Sequence, residues 1–183
     1  MNKAIVRQSL NVLLVLATLV VNILADALPI NGLNTGAISD RFHVYFVPAG
    51  YVFAIWGLIY IGLITYGIYQ ALPAQRENPR LRSVDGFFAL ASLANIAWLF
   101  LWHYEQFVGT LAAMLVLLAS LIAIYLRLGI GETQVSRSET WLVRVPFSIY
   151  LGWITVATIA NVKEVLYSLK WNEIVRASCR VRL

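Results

Sequence analysis

The sequence predicts an all-α fold, a polytopic membrane protein built as a bundle of five transmembrane helices. Of the 183 residues, 60% are hydrophobic and only 13% are charged, and the mean hydropathy is +0.74. A soluble domain carries about 25% charged residues. The composition therefore excludes disorder and nucleic-acid binding as the main role and favours lipid as the solvent of the outer face.

Five apolar stretches have about the 20 residues that a helix needs to cross the hydrocarbon core. None has a charge in its middle, and Asp26 and Arg127 lie at span ends, where side chains can reach the headgroups. No run alternates at period two over the length of a barrel strand. The predicted spans are 9–28, 47–72, 86–102, 107–128 and 145–162.

The first span has two interpretations. Its basic start, its apolar run and the small-x-small sequence 25–27 fit a cleavable signal peptide. However, Asn11 and Asn22 interrupt the apolar run, and cleavage would leave four spans. The sequence favours a retained membrane helix, with cleavage as the open alternative.

Basic residues predict the orientation. The ends of the spans that share one side carry eight cations, so this side and the N-terminus are expected in the cytoplasm of a bacterial cell. The sequence divides into a membrane domain, 1–163, and a basic C-terminal tail, 164–183. Five spans would place this basic tail on the outer side, against the orientation that the other cations predict. The tail is therefore expected to be translocated despite its charge, to lie on the membrane surface, or to be cut short. The eight cations are Lys3, Arg7, Arg76, Arg80, Arg82, Arg127, Arg137 and Arg144.

Polar and aromatic side chains repeat at helical spacing. An amide that faces lipid leaves its polar atoms unpaired at a cost of a few kcal/mol, so the amide stripes should face inward. Either these amides only join helices while the aromatics are belt or core residues, or the stripes line a pocket. The stripes are Asn11, Thr18, Asn22 and Asp26; Phe53, Trp56 and Tyr60; Ala91, Asn95, Trp98 and Trp102; and Tyr150, Trp153, Ala157 and Asn161.

Three tryptophans near span ends, Trp102, Trp141 and Trp171, are expected to be belt anchors at the headgroups. Glycines of the second span, Gly57, Gly62 and Gly67, would let neighbouring helices approach closely.

The chain offers little for catalysis or metal binding. It has one cysteine and two histidines, and no metal-ligand spacing. One group of titratable residues is interpreted as solvent-exposed polar residues of loops. A role in binding a metal or relaying protons is the alternative. No catalytic or metal-binding residue is assigned, and a non-enzymatic role is favoured. The group comprises Asp26, Asp40, His43, His103 and Glu105.

Three motifs resemble those of the TspO/MBR family, the tryptophan-rich sensory or translocator proteins. The fifth span, Y-L-G-W-I-T-V-A-T-I-A-N from Tyr150, is similar to the family's Y-L-A-W-x-S/T-x-A-T-x-x-N. The third span, N-I-A-W from Asn95 with Gln106 and Gly109 beyond, resembles N-L-x-W followed by H-Q-x-G. The second span, P-A-G-Y-V-F and then W-G-L-I-Y, is similar to P-P-x-W-x-F followed by V-W-x-x-L-Y, and order and spacing agree over about residues 45–163.

The motifs also depart from the family pattern, which indicates a divergent member whose ligand can differ. One residue fewer separates Phe53 from Trp56, which rotates the two halves of that motif by about 100° unless a kink compensates. The proline expected before Tyr150 is Ile149, and Pro146 lies one turn earlier.

The resemblance implies a five-helix bundle, often a homodimer, with an apolar aromatic pocket that binds porphyrins, other tetrapyrroles or, in animal members, sterols. No cofactor is required, and a porphyrin or haem-like molecule is expected as ligand. A flat conjugated molecule would stack on the aromatic rings while amides orient its polar edge. Carried over by position, the pocket residues are Tyr51, Phe53, Trp56, Tyr60, Asn95, Trp98, Tyr150, Trp153, Ala157 and Asn161.

The expected partners are the lipid bilayer, a hydrophobic small molecule and a second copy of the chain. The resemblance implies a regulatory or transport role. Two alternatives stay open: a small membrane transporter for an amphipathic solute, and a porphyrin-degrading enzyme.

Overall fold

A computed structural model describes residues 3–28, 30–33, 35–39 and 54–171. Within these ranges the regular structure is helical, without strands. A π-helical turn, Thr140–Arg144, joins a short helix to the last long one. The helices are α1 (Lys3–Ala27), α2 (Thr35–Ser39), α3 (Ile55–Ala71), α4 (Pro79–His103), α5 (Phe107–Arg127), α6 (Arg137–Glu139) and α7 (Val145–Ser168).

The prediction of an all-α five-helix membrane bundle is confirmed. In the described ranges, four helical segments are long and apolar enough to span a membrane, namely α1, α4, α5 and the continuous segment 137–168. The fifth helix, α3, is apolar but has 17 residues. Residues 47–53, the predicted beginning of its span, lie outside the described residues.

One predicted boundary was wrong. Residues 79–85 were expected in a loop, yet α4 begins at Pro79. The Asn78 side chain accepts a hydrogen bond from the backbone N–H of Arg80 at 3.1 Å, and proline suits the first helical turn because it has no N–H to satisfy. The polar first turns of α4 are therefore helical, which places the partly buried Asp85 against α1.

The five long helices form a closed ring. α1 packs on α3 and α4, α4 on α5, α5 on α7, and α7 on α3. Their outward faces carry exposed aliphatic side chains, as lipid-facing surfaces do. Examples are Leu13, Ile61, Ile68, Leu93 and Leu126.

Aromatic rings pack where α3, α4 and α7 meet. Tyr66 lies 4.9 Å from both Phe88 and Phe147 between ring centroids, and the two phenylalanines are 6.2 Å apart. Nearby, a Cβ atom at Gly62 would lie 2.9 Å from Pro146 Cβ, closer than real Cβ atoms come. The expected close approach at a glycine of this span is confirmed there.

Pro146 also explains the π-helical turn before α7. Proline has no N–H to donate, and its ring would clash with the carbonyl group four residues earlier. The helix widens just before it, so that the Val145 N–H reaches the carbonyl of Thr140.

The end of the ring at which α1 begins, called the basic end here, is joined by charged and amide side chains. Asp85 accepts from Arg7 at 2.9 Å and from Asn11 at 2.6 Å. Glu139 accepts two hydrogen bonds from Arg80, at 2.8 and 3.1 Å. These contacts bring the beginnings of α1, α4 and α6 together, as predicted from the cation distribution.

Arg144 adds the end of α5 to the same group of contacts. It is 7% exposed, and it donates to the backbone carbonyls of Leu128, at 2.8 Å, and Thr133. A cation suits this position because the last carbonyl groups of a helix have no partner within the helix.

Candidate functional site

Four aromatic residues from two neighbouring helices pack together. Trp56 lies 5.7 Å from Tyr60, 6.3 Å from Tyr150 and 6.2 Å from Trp153 between ring centroids. The contacts from Trp56 to the two α7 rings are edge-on, the arrangement that aromatic pairs favour. We call Trp56, Tyr60, Tyr150 and Trp153 the aromatic cluster.

Helical spacing and the ring order produce this cluster. Trp56 and Tyr60 are four residues apart on α3, and Tyr150 and Trp153 are three apart on α7, so each pair shares a face. Because α3 packs on α7, the two faces meet. Tyr150 and Trp153 are 4% and 8% exposed, whereas Trp56 and Tyr60 keep part of their surface accessible.

Two buried amides join α1 to α4. Asn22 donates from Nδ2 to Asn95 Oδ1 at 2.7 Å and to the Thr18 carbonyl at 2.8 Å. Asn95 is 1% exposed, so this hydrogen bond lies inside the ring. The inward direction predicted for these amide stripes is confirmed.

Trp98 and Trp102 form a second aromatic group on α4. Their rings stack at 5.4 Å with 16° between the planes. Trp98 packs against both the main core and the small cluster formed by Trp102 and Ile38. Its Nε1 is buried and has no acceptor within the described ranges, which is rare for a buried donor.

The prediction that Trp102 is a belt anchor was wrong. Trp102 is 2% exposed, and its Nε1 donates to the Thr35 carbonyl at 3.2 Å. The short helix α2 and the side chain of Phe107 cover it. Trp141 and Trp171, in contrast, are 67% and 50% exposed, as expected for anchors.

Asn161 and Ala157 continue the α7 stripe beyond the cluster. Asn161 Nδ2 donates to Thr110 Oγ1 at 3.0 Å, which ties α7 to α5. Ala157 is partly buried and packs against the core. Thr110 could not be predicted from the sequence, because a lone hydroxyl on a helix forms no stripe.

Two predicted pocket residues, Tyr51 and Phe53, lie outside the described residues, as do Asp40, His43 and the side chain of Asp26. His103 is not solvated, contrary to expectation: it is 1% exposed, and its Nδ1 lies 2.8 Å from the Leu99 carbonyl oxygen. No group of three metal-ligating side chains occurs in the part of the chain that the structure describes.

Comparison with known families agrees with this arrangement. The family model described as TSPO-like protein matches residues 8–179, which covers α3, α4, α5 and α7 entirely and α1 from Gln8 onward. No curated protein and no solved structure matches the chain. The chain is thus an integral, multi-pass membrane protein that belongs to the TspO/MBR family, as a TSPO-like protein.

Proposed function

We propose that this protein binds a flat, apolar, conjugated molecule, a porphyrin or other tetrapyrrole or a sterol-like compound, at the aromatic cluster, in a regulatory or transport role. The observation that carries the proposal is the burial pattern of the cluster. Tyr150 and Trp153 form a buried wall, while Trp56 and Tyr60 keep accessible ring surface. Accessible rings held in place by buried ones are suited to stacking on a planar ligand.

Polar groups beside the cluster indicate which ligand edge would be recognised. Trp98 lies one helical turn from Asn95 and has an unpaired Nε1 donor. A buried donor without a partner costs about 1–3 kcal/mol. A ligand that carries a carbonyl or carboxylate oxygen would remove that cost, so acceptor-bearing porphyrins are the better candidates.

A titration tests the proposal. The purified protein in detergent is titrated with protoporphyrin IX, and the shift of the porphyrin absorbance band is followed. Trp56→Ala should weaken binding about tenfold, the effect of about 1.4 kcal/mol of lost stacking. The matched control Trp141→Ala, which removes an exposed tryptophan at the opposite end, should leave affinity unchanged.

Two results would contradict the proposal: no saturable binding to the wild type at micromolar porphyrin, or equal affinity losses in the two variants. Measuring porphyrin flux with the same protein in liposomes distinguishes a transport role from a regulatory role. Porphyrin flux that Trp56→Ala abolishes supports transport, and binding without flux supports regulation. Loss of the porphyrin itself during incubation would indicate breakdown.

We further propose that the basic end faces the cytoplasm of a bacterial cell, because the cations listed above gather there. Ser138 is exposed at this end. A Ser138→Cys variant in a Cys179→Ser background should react with a membrane-impermeant maleimide only after cell lysis. Labelling in intact cells would show that the basic end faces outward, opposite to the proposed orientation.

A further inference from the structure

A concave surface lies on the outside of the ring, between α1 and α3. It is a groove of about 390 Å³ with an apolar lining. Its floor contains Val15, Leu19 and Gly67, and its walls include Leu16 and Ile68. None of its lining residues belongs to the aromatic cluster.

Gly67 helps to make the groove. A Cβ atom at this position would lie 3.4 Å from a Val15 methyl group, so the two helices already touch at the floor. The walls rise on either side, because Leu16 and Ile68 are 51% and 63% exposed. A lipid-facing groove without polar lining is suited to a hydrocarbon chain.

The groove ends near the basic end, at Leu72 and Pro73. There Gln8 Nε2 donates to the carbonyls of Gln70, at 2.6 Å, and Leu72, at 3.1 Å. Gln70 Nε2 donates back to the Gln8 carbonyl at 3.1 Å. These amides satisfy one another, so recognition of a polar headgroup falls to residues beyond Pro73.

At the basic end, three arginines form ion pairs with carboxylates and a fourth, Arg76, does not within the described ranges. Asp85, Glu139 and Glu77 have Arg7, Arg80 and Arg82 as partners. Arg76, whose N–H reaches the Pro73 carbonyl at 3.3 Å, lies one turn beyond the groove. Its guanidinium has no acidic partner within the described ranges, and its Nε is buried without an acceptor.

We propose that the groove between α1 and α3 holds an acyl chain of an anionic phospholipid whose phosphate is bound by Arg76. The apolar lining accounts for the chain, and the uncompensated guanidinium accounts for the headgroup, since arginine binds phosphate oxygens through two parallel hydrogen bonds. A zwitterionic lipid offers the same phosphate but also a cation that opposes Arg76.

Native mass spectrometry of the purified protein tests the headgroup. The protein is incubated with equal amounts of dioleoyl phosphatidylglycerol and dioleoyl phosphatidylcholine. We expect one retained phosphatidylglycerol, preferred about fivefold. Arg76→Gln should abolish the preference, while the control Arg137→Gln, an exposed cation at the same end, should keep it. Equal retention of the two lipids by the wild type, or an unchanged preference in Arg76→Gln, would overturn the assignment.

A second pair of variants tests the groove. Ala71 is an exposed lining residue, so Ala71→Trp should fill the groove and lower retention of both lipids at least about fivefold. The control Ala119→Trp, exposed on α5 away from the groove, should retain lipid as the wild type does. Equal retention in the two variants would refute the groove site. Unchanged porphyrin titrations would show that both variants are folded.

Discussion

The basic end and the opposite part of the helical ring satisfy their buried polar groups in different ways. We call that opposite part, which carries the aromatic cluster, Trp98 and Trp102, the aromatic end. At the basic end, Asp85 accepts hydrogen bonds from two side chains, and Glu139 accepts two hydrogen bonds from Arg80. At the aromatic end, amide pairs join the helices, while the Trp98 Nε1 has no acceptor in the described ranges and Trp56 keeps accessible ring surface. The difference teaches that the ion pairs of the basic end are suited to holding the ring closed, and the aromatic cluster to stacking on a planar ligand.

Substitutions at the two ends should therefore differ in their effects. Loss of an ion pair at the basic end should lower the free energy of unfolding and leave porphyrin affinity unchanged. Substitutions at the aromatic end should lower affinity more than stability.

The largest loss of stability is expected for Asp85→Ala. Arg7 and Asn11 would lose their shared, partly buried acceptor, so the free energy of unfolding should fall by about 2–3 kcal/mol. The loss is measured by titrating the detergent-solubilised protein with sodium dodecyl sulfate until it unfolds. Porphyrin affinity should stay within about twofold, because the two sites lie apart.

Glu77→Ala is the matched control for Asp85→Ala. Its ion pair with Arg82 is exposed, with 78% and 58% of the two side chains accessible. Such pairs contribute about 0–1 kcal/mol. Equal losses from the two substitutions would remove the distinction between buried and surface contacts at this end.

A smaller loss is expected for Gly62→Ala. The added methyl group would meet Pro146 at 2.9 Å and force α3 and α7 apart, which should cost about 1–2 kcal/mol in the same assay. Gly57→Ala, where a Cβ atom would meet nothing within 4 Å, should be neutral or stabilising by up to about 1 kcal/mol. The reverse ranking would show that α3 and α7 do not approach at Gly62.

The smallest effect on stability is expected at the amide pair. A double-mutant cycle of Asn22→Ala and Asn95→Ala should give a coupling of about 0.6 kcal/mol, typical of hydrogen bonds between membrane helices. Each variant should weaken porphyrin binding, because Asn95 shares a face of α4 with Trp98, whose Nε1 is proposed to meet the ligand. Strictly additive stabilities, with unchanged porphyrin binding, would separate these amides from the site.

The fold follows from simple signals in the sequence. Apolar length gave the number of helices, and helical spacing gave the inward direction of Asn11, Thr18 and Asn22, which are all buried. The start of α4 was missed because charge was taken as a loop signal. Asn78 and Pro79 are the helix-start signal that outweighs it.

The neighbours of each side chain could not be predicted, since they depend on the order of helices around the ring. Spacing placed Trp56 and Trp153 on inward faces, but only the packing of α3 on α7 brings their rings together. Trp102 looked like an anchor because it lies near a span end, and only the position of α2 shows that it is covered.

Locating the bound porphyrin is the most direct test of the claim that it binds at the aromatic end and not at the basic end. The six tryptophans can be replaced by 5-fluorotryptophan and assigned with single Trp→Phe variants. On addition of protoporphyrin IX, the ring current of the porphyrin should move the ¹⁹F resonances of Trp56 and Trp153, while that of Trp141 stays in place. A shift of Trp141 without shifts of Trp56 and Trp153 would contradict the account.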